Sequence, residues 1–378
     1  MVNKKILIAS IASCILIGTV AGIAIYNTFM NSYPRTITDS LGREVDIPAV
    51  EDIEKLVAVQ PGALRLVVYL EAEDKVCGVE EIERQESARP YTYAVPELSE
   101  LPCIGPQFGG DPELIVEQDP DVIFATYQTV EQTDELQELT NIPVIGLEYG
   151  DLDDNKGVFY DTLSIMAEVL GEEERADELT QYIDDLIEDL DNRTKDIDDA
   201  NKDWVYVGGI GYRGAHGLDS TEVRYSPLRF INGKNTAENV STPDGHAFID
   251  YEQLIQWENE TEVLDYILVD GGGYDMCMQD LQNDTIGGEL DCVTANPPRV
   301  IMTLPYNWYT TNFATVFADA YFLGETFFPN HFSDLNYTNG QIYDNIYKRF
   351  VGAEVYEDMS DFYYGGFHNI SQTNLTEY

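Results

Sequence analysis

The chain has 378 residues, 44% of them hydrophobic, which is enough for two globular domains, each with its own core. The formal net charge of −48, from 69 acidic and 21 basic residues, excludes nucleic acid as a partner, because phosphate binding requires clustered lysine and arginine. We interpret the acidity as a solvated surface, and a field that attracts cationic ligands is the alternative.

The N-terminus carries the signal of a membrane segment. Lys4 and Lys5 precede an uncharged, mostly apolar run over residues 6–25. About 20 such residues span a bilayer, and the positive flank stays inside. Residues 1–34 are therefore predicted to be an anchor or signal segment with a tether, which holds the remaining chain at the extracellular face of the membrane. The alternative is a lipoprotein signal, in which Cys14 is lipidated after cleavage.

Two further features agree with export. Asn-x-Ser/Thr glycosylation sequons begin at Asn192, Asn239, Asn259, Asn283, Asn336, Asn369 and Asn374. Beyond the N-terminal segment the cysteines are Cys77, Cys103, Cys277 and Cys292. An even number in an oxidising compartment indicates disulfides, and the simplest pairs are Cys77–Cys103 and Cys277–Cys292.

Residues 35–155 alternate strand and helix patterns after an initial hairpin. The hairpin covers residues 35–48, around a Ser-Leu-Gly turn. Short buried strands are predicted at residues 56–59, 76–79, 122–125 and 143–147, with helices between them. This alternation over short connections predicts a parallel sheet with helices on both faces.

Residues 156–202 are predicted to form a helical spine with one break. Leu163, Met166 and Leu170 share a helical face, and Gly171 then interrupts the pattern. The next helix has apolar residues on one face and acids on the other. A spine of this length predicts a strut that joins two α/β lobes.

The strand and helix pattern returns over residues 203–356. Strands are predicted at residues 204–207 and 266–269, a loop insertion at 271–297, and a helix at 314–323. Residues 357–378 are predicted to be a C-terminal tail. The segment 111–118 and the strand after it resemble 250–257 and its following strand, which indicates a duplicated architecture.

Aromatic and cationic side chains on loops after strands predict a binding cleft, because ligands bind at the carboxyl ends of strands in open α/β sheets. The predicted cleft residues are Arg84, Tyr91, Tyr93, Phe108, Tyr127, Tyr212, Arg213, His216, Tyr306, Trp308 and Tyr309. The glycine-rich stretch 208–217 does not have the spacing of a nucleotide loop, and we interpret it as a ligand loop.

The sequence carries no catalytic constellation. The histidines are His216, His246, His331 and His368, and none lies in a nucleophile motif. No Cys/His cluster has metal-ligand spacing, so we expect no metal site and no cofactor. The prediction is a non-enzymatic protein, with a surface hydrolase or chelatase and an adhesion protein as the alternative classes.

Several segments together resemble the substrate-binding proteins of ABC importers for iron–siderophores, haem and cobalamin, which are class III periplasmic binding proteins. The resemblance rests on the hairpin 35–45, on 74–79, on 112–123, on the Leu170-Gly171 junction and, in the second half, on 249–254 and 323–329. It covers roughly residues 35–356. It implies two Rossmann-like lobes with parallel sheets, joined by a single long helix and preceded here by the membrane anchor.

The resemblance also implies a function. A metal chelate is captured between the lobes, with little hinge motion, and delivered to the permease and ATPase subunits. Family members use one acidic residue per lobe to dock on the permease, and Glu113 and Glu252 occupy those positions. A ferric siderophore is the expected ligand, and a corrinoid or haem is the alternative. We expect a monomer.

Overall fold

The structure is a computed structural model that describes residues 34–85, 88–259 and 263–376. It begins with the predicted hairpin, in which β1 (Arg35–Thr38) pairs antiparallel with β2 (Glu44–Ile47). Asp39 holds the turn, because its carboxylate accepts hydrogen bonds from Leu41 N and Arg43 N. Its other oxygen accepts from Gly146 N, which fixes the hairpin to the first sheet.

The first sheet is parallel and has four strands in the order β4-β3-β5-β6. The strands are β3 (Leu56–Val59), β4 (Val76–Gly78), β5 (Val122–Thr126) and β6 (Val144–Leu147). Its helices are α1 (Ala63–Tyr69), α2 (Pro90–Ala94), α3 (Pro112–Gln118) and α4 (Val130–Thr140). Every residue of β3, β5 and β6 is buried, as expected of parallel strands covered on both faces.

Two consecutive helices follow, α5 (Lys156–Leu170) and α6 (Glu173–Thr194). The break between them is at Gly171, whose φ of 80° is left-handed and ends α5. Acidic residues occupy the first turn of α6, where they favour the positive end of the helix. The two helices lie between the two sheets along the chain.

The second sheet has five strands in the order β13-β12-β11-β7-β9. They are β7 (Trp204–Gly208), β9 (Lys234–Asn235), β11 (Tyr266–Asp270), β12 (Val300–Thr303) and β13 (His368–Asn369). The inner strands are parallel, and β13 is antiparallel to β12. A separate hairpin pairs β8 (Ser220–Glu222) with β10 (His246–Phe248).

The helices of the second half are α7 (Ser226–Phe230), α8 (Tyr251–Asn259), α9 (Tyr274–Leu281), α10 (Asp291–Thr294), α11 (Phe313–Phe327), α12 (Pro329–Phe332), α13 (Gln341–Val351), α14 (Tyr356–Phe362) and α15 (Gln372–Thr376). Residues 271–297 therefore contain two helices rather than the predicted loop. The predicted tail is also structured, because it supplies α14, an edge strand of the sheet and α15.

The chain thus has an α/β fold with parallel sheets, but the apolar interior is not divided into two separate cores. One continuous cluster of buried side chains includes residues of both sheets, and a smaller one lies on one face of the first sheet. The continuity passes through α13, where Phe350 packs edge-on against Tyr69 of α1 with 5.2 Å between ring centroids. The boundaries of the two lobes stay a prediction.

Among the described residues, no helix is both long and apolar enough to cross a membrane. The predicted anchor, the tether up to residue 33 and Cys14 lie outside the described residues.

Candidate functional site

A cavity of about 750 Å³ lies where the carboxyl ends of both parallel sheets meet. Pro61 reaches it from the end of β3, Asp270 from the end of β11, and Pro305 from just beyond β12. The glycine-rich loop after β7 closes one side through residues 211–215. Both halves of the chain therefore contribute to one cavity, at the edge where open α/β sheets bind ligands.

Aromatic side chains form much of the cavity wall. Phe108 comes from the first half and Tyr212, Trp308 and Tyr309 come from the second. Phe108 is 59% exposed and Trp308 43%, so both keep free ring surface. The rings of Phe108 and Tyr309 lie 5.8 Å apart, which joins the two halves at the cavity wall. Exposed aromatic faces of this kind are available to stack on a ligand.

Left-handed backbone conformations concentrate around this cavity. Among its lining residues, φ is 70° at Phe108, 57° at Arg213, 49° at Tyr309 and 64° at Thr310. Each such residue other than glycine costs on the order of 1–3 kcal/mol, and such strain clusters at binding sites. The backbone strain at these four positions therefore supports the interpretation of the cavity as a binding site.

Arg65 fixes the aromatic loop of the second half to the first half. This side chain of α1 is wholly buried. It donates to the carbonyl oxygens of Thr311 (2.7 Å), Trp308 (3.0 Å) and Tyr309 (3.2 Å), and to the hydroxyl of Tyr149 (2.6 Å). The loop that carries Trp308 and Tyr309 is therefore held in place from the opposite half of the chain.

Glu80 lies next to the aromatic wall of the cavity and accepts hydrogen bonds from both halves of the chain. Its carboxylate accepts from Gly109 N (2.7 Å), from Gln60 N (3.1 Å) and from the Tyr309 hydroxyl (2.7 Å). Burial raises the pKa of Glu80 above its usual value, although these hydrogen bonds act in the opposite direction. Tyr309 is thus held at both its main chain and its hydroxyl.

Buried carboxyl groups lie on the second-sheet side of the cavity, and of these Asp270 lines it. Burial raises the pKa of Asp270 to about 8, against the hydrogen bond that Gly272 N donates to it. Burial also raises the pKa of Glu222 to about 7, and this group accepts a hydrogen bond from the Tyr306 hydroxyl. Asp319 is wholly buried behind them, and burial raises its pKa well above the ordinary range. Burial therefore favours the protonated form of each of these carboxyl groups.

Glu222 and Tyr306 line a second cavity, of about 540 Å³, and not the main one. Its other lining residues include the acidic loop 151–155 and residues 238–245. Arg224 pairs with Asp154 there, and Arg229 pairs with Asp153. These ion pairs offset the charges of Asp153 and Asp154.

The structure brings five of the predicted cleft residues to the main cavity: Phe108, Tyr212, Arg213, Trp308 and Tyr309. Tyr127 lies at its rim, where its hydroxyl is 2.6 Å from that of Thr310. His216 lies in the glycine-rich loop but does not line the cavity; its Nε2 is 2.8 Å from Tyr212 O, and its ring is edge-on to Phe248. Tyr306 faces the second cavity instead.

The remaining predicted residues do not reach the cavity. Arg84 is exposed and its Nε donates to Ser99 O at 3.4 Å. Tyr91 is wholly buried, because α2 turns its ring inward, where the hydroxyl donates to Glu83 (2.8 Å). Tyr93 is partly buried against the core. Within the part of the chain that the structure describes, no group of three or more His, Cys, Asp or Glu side chains could hold a metal ion.

Sequence reasoning missed Arg65, Glu80 and Asp270. The signal for Arg65 was available, because a lone arginine in the apolar run from Leu64 to Val68 must be buried with partners. Glu80 and Asp270 each follow a strand, at the edge where ligands bind. Their acidic side chains could not be singled out as functional, because the chain has 69 acidic residues.

The predicted disulfide pairs are not present, since all four cysteines are free. The Cys77 thiol donates to Leu56 O (3.3 Å) and the Cys103 thiol contacts Gly105 O (3.6 Å), so the two point to different neighbours. Cys277 is buried in α9 against Gly209, and Cys292 is buried in α10. Pairing by nearness in sequence did not account for these separate environments.

The sequence of this chain is similar to those of known binding proteins. The model of a family described as periplasmic binding protein matches residues 56–284. The molybdate-binding protein MolA of Haemophilus influenzae is 29% identical over 164 residues, which are 39% of this chain and 46% of that protein. The chain thus matches about half the length of this curated relative.

Solved structures share the fold at lower identity. The structure of MolA bound to molybdate has a TM-score of 0.65 and 20% identity, over 85% of this chain and 98% of that one. An ABC transporter solute-binding protein from Sulfurospirillum deleyianum gives 0.62 and 19%, over 87% and 99%. The TroA-like periplasmic binding protein FepB from Veillonella parvula gives 0.59 and 17%, over 85% and 97%.

Proposed function

Because this chain belongs to the periplasmic binding protein family, whose model matches residues 56–284, we propose that it is the extracytoplasmic substrate-binding protein of an ABC importer. It captures a metal chelate in the aromatic cavity and delivers it to the permease, at which the ATPase subunits drive import. A ferric siderophore is the proposed ligand class. The observation that carries the proposal is the cavity of about 750 Å³ with aromatic residues from both halves of the chain.

The size and lining of the cavity support an organic chelate over a bare ion. Sites for ligands of drug-like size occupy about 300–1,000 Å³, are lined by apolar and aromatic groups, and carry a few polar groups that fix orientation. Here the polar side chains among the rings and prolines are Gln107, Arg213, Asp270, Asn307 and Thr310. A tetrahedral oxyanion alone would leave most of this volume and the aromatic surface unused.

Two other ligand classes are alternatives to a ferric siderophore. A corrinoid or haem suits flat aromatic walls, and proteins named as haem-binding share the fold. Molybdate is the ligand named for the curated relative and is the second candidate. An enzymatic role as hydrolase or chelatase is not proposed, because the relatives with a stated function are binding proteins.

Permease docking is proposed for Glu113 and Glu252. Each is exposed in the first turn of a helix, Glu113 in α3 and Glu252 in α8. Asp111 caps α3 by accepting from Glu113 N (2.9 Å), which fixes the main chain of the docking residue. Residues 6–25 are proposed to anchor the protein at the extracellular face, with lipidation of Cys14 as the alternative.

Thermal melting against a ligand panel tests the proposal. The panel contains ferric hydroxamate and catecholate siderophores, haem, cobalamin and molybdate. A ligand at 100 times its Kd adds about 2.7 kcal/mol of stability and raises the melting temperature. Trp308→Ala removes exposed aromatic surface from the cavity and should reduce the shift. Phe362→Ala, at a similarly exposed ring that does not line the cavity (45% against 43%), is the matched control.

We expect a chelate to raise the midpoint of the wild-type protein and of Phe362→Ala, and to raise that of Trp308→Ala much less. A panel in which only molybdate shifts the midpoint would support the second candidate. A panel without any shift would contradict the binding role.

A further inference from the structure

Arg89 is a buried cation with unused hydrogen-bonding capacity. Its side chain is wholly buried. Nη2 donates to Ile82 O (3.1 Å) and pairs with Glu83 (2.8 Å), whereas Nε and Nη1 have no hydrogen-bond partner among the residues that the structure describes. Buried polar groups are nearly always hydrogen-bonded, and a charged donor left without a partner costs more than a neutral one. The two unsatisfied nitrogens of this guanidinium therefore indicate that Arg89 can bind a hydrogen-bond acceptor from another molecule.

The arrangement around Glu83 shows that Arg89 is not needed solely to satisfy this carboxylate. The Tyr91 hydroxyl lies 3.0 and 2.8 Å from the two carboxylate oxygens of Glu83. The guanidinium lies over the Tyr91 ring, with Cζ 5.2 Å from its centroid. Arg89 is thus held rigidly by Glu83, Ile82 and Tyr91 while its other two nitrogens stay free. A guanidinium held in this way is preorganised to receive an oxygen.

The Tyr309 ring is adjacent to both Arg89 and the main cavity. It lines the main cavity, and its ring centroid is 5.8 Å from Cζ of Arg89. Arg89 itself does not line the cavity. Tyr309 is in a left-handed conformation, with φ of 49°, and its hydroxyl donates to Glu80. If the ring moves, Glu80 keeps the hydrogen bonds from Gln60 N and Gly109 N.

We propose that Arg89 forms an anion subsite of the main cavity, closed by the Tyr309 ring in this conformation, and that it receives an anionic oxygen of the ligand. The oxygen belongs to a carboxylate on a metal chelate or to an inorganic oxyanion, and both present the same acceptor to Nε or Nη1. This inference rests on the proposed function. It adds a chemical preference, because a ligand with an anionic arm gains a contact that a ligand without one lacks.

Equilibrium titration of the wild-type protein and three variants tests the subsite. The probes are ferric citrate, which carries carboxylates, molybdate, and a ferric hydroxamate without carboxylates. Arg89→Met combined with Glu83→Gln removes the cation without leaving a buried charge alone. Arg84→Met removes an equal charge five residues away, at an exposed site where Nε donates to Ser99 O, and is the matched control. Tyr309→Phe keeps the ring and loses the bond to Glu80.

We expect the Arg89→Met/Glu83→Gln variant to bind ferric citrate or molybdate at least 10-fold more weakly than wild type. Its affinity for the hydroxamate should change by less than 2-fold. Arg84→Met should match wild type for every probe. Tyr309→Phe should bind the anionic probe more tightly, by 2-fold or more, because its ring is released from Glu80.

Equal anion affinities in the Arg89 and Arg84 variants would overturn the subsite, as would the absence of saturable binding of both anionic probes to wild type. If the double variant does not fold, Tyr309→Phe decides, and an unchanged or weaker anion affinity overturns the proposal. The receptor function is judged separately. If the hydroxamate, haem or cobalamin still binds wild type, the receptor role stands without the subsite.

Discussion

The buried arginine that joins the two halves offers a prediction whose size follows from its hydrogen bonds. In Arg65→Met, Tyr309 O loses its hydrogen bond and Trp308 O keeps only a long one, 3.4 Å from Asn312 Nδ2. Thr311 O is still satisfied by the Tyr149 hydroxyl (2.8 Å). An unsatisfied buried group costs about 1–3 kcal/mol. We therefore expect a loss of about 2–4 kcal/mol in the free energy of unfolding, because one carbonyl is fully and one partly orphaned.

One effect acts against this loss. Arg65 has no carboxylate partner within residues 34–85, 88–259 and 263–376, so its replacement removes a buried charge and recovers part of the desolvation cost. For this reason, the expected loss in unfolding free energy is smaller than the sum of the contributions of the lost hydrogen bonds. Because the same loop carries Trp308 and Tyr309, ligand affinity should fall at least 10-fold as the aromatic wall becomes disordered.

Denaturant unfolding followed by circular dichroism gives the stability, and titration with the chelate selected by the melting panel gives the affinity. Arg84→Met is the control, and surface substitutions of this kind change stability by about 0.5 kcal/mol or less. Amide exchange of residues 306–312 should accelerate only in Arg65→Met. Equal stabilities for the two variants, within about 0.5 kcal/mol, would refute the account of Arg65 as the link between the halves.

Three further predictions address docking, pH and packing. Replacing Glu113 and Glu252 together with Ala should abolish uptake in a transport assay while the ligand Kd is unchanged, and uptake at the wild-type rate would remove the docking role. The pKa of Asp270 is raised to about 8 in the folded protein, so its contribution to stability is complete below about pH 4 and is lost as the pH rises towards 8. Asp270→Asn should therefore flatten the decline in unfolding free energy between pH 5 and pH 8.5, and an unaltered slope would contradict this assignment. Gly62→Ala should destabilise by about 1–3 kcal/mol, because its Cβ would lie 2.3 Å from a tyrosine ring, whereas Gly42→Ala has a similar φ and no neighbour within 4 Å. Equal melting temperatures for the two glycine variants would show that backbone strain alone sets the cost.

The sequence predicted the sheets and part of the site because those features depend on local patterns. Wholly buried strands such as β3 and β5 appear as short apolar runs between turn signals. Once the sheets are parallel, loops after their strands meet at one edge, which brings Phe108, Tyr212 and Trp308 together. That rule needs no knowledge of distant contacts.

Features that depend on long-range packing were not predicted. Tyr91 was predicted to lie on a loop after a strand, yet it lies in the short helix α2, which turns its ring into the interior. Helix α9 was missed because Tyr274, Cys277, Met278 and Leu281 form its buried face, and the acids between them concealed the 3.6-residue spacing. The shared core arises from α13, whose contact with α1 joins residues about 280 positions apart along the sequence.

Fluorescence quenching of Trp308 tests most directly whether the aromatic cavity binds the ligand. Trp308 lines the cavity, whereas Trp204 begins β7 and lies outside it. A coloured metal chelate bound in the cavity should quench the wild-type protein and the Trp204→Phe variant saturably, with the same Kd. In Trp308→Phe most of the quenching should vanish. Saturable quenching that survives undiminished in Trp308→Phe, and so comes from Trp204 or Trp257, would place the ligand elsewhere and contradict the account.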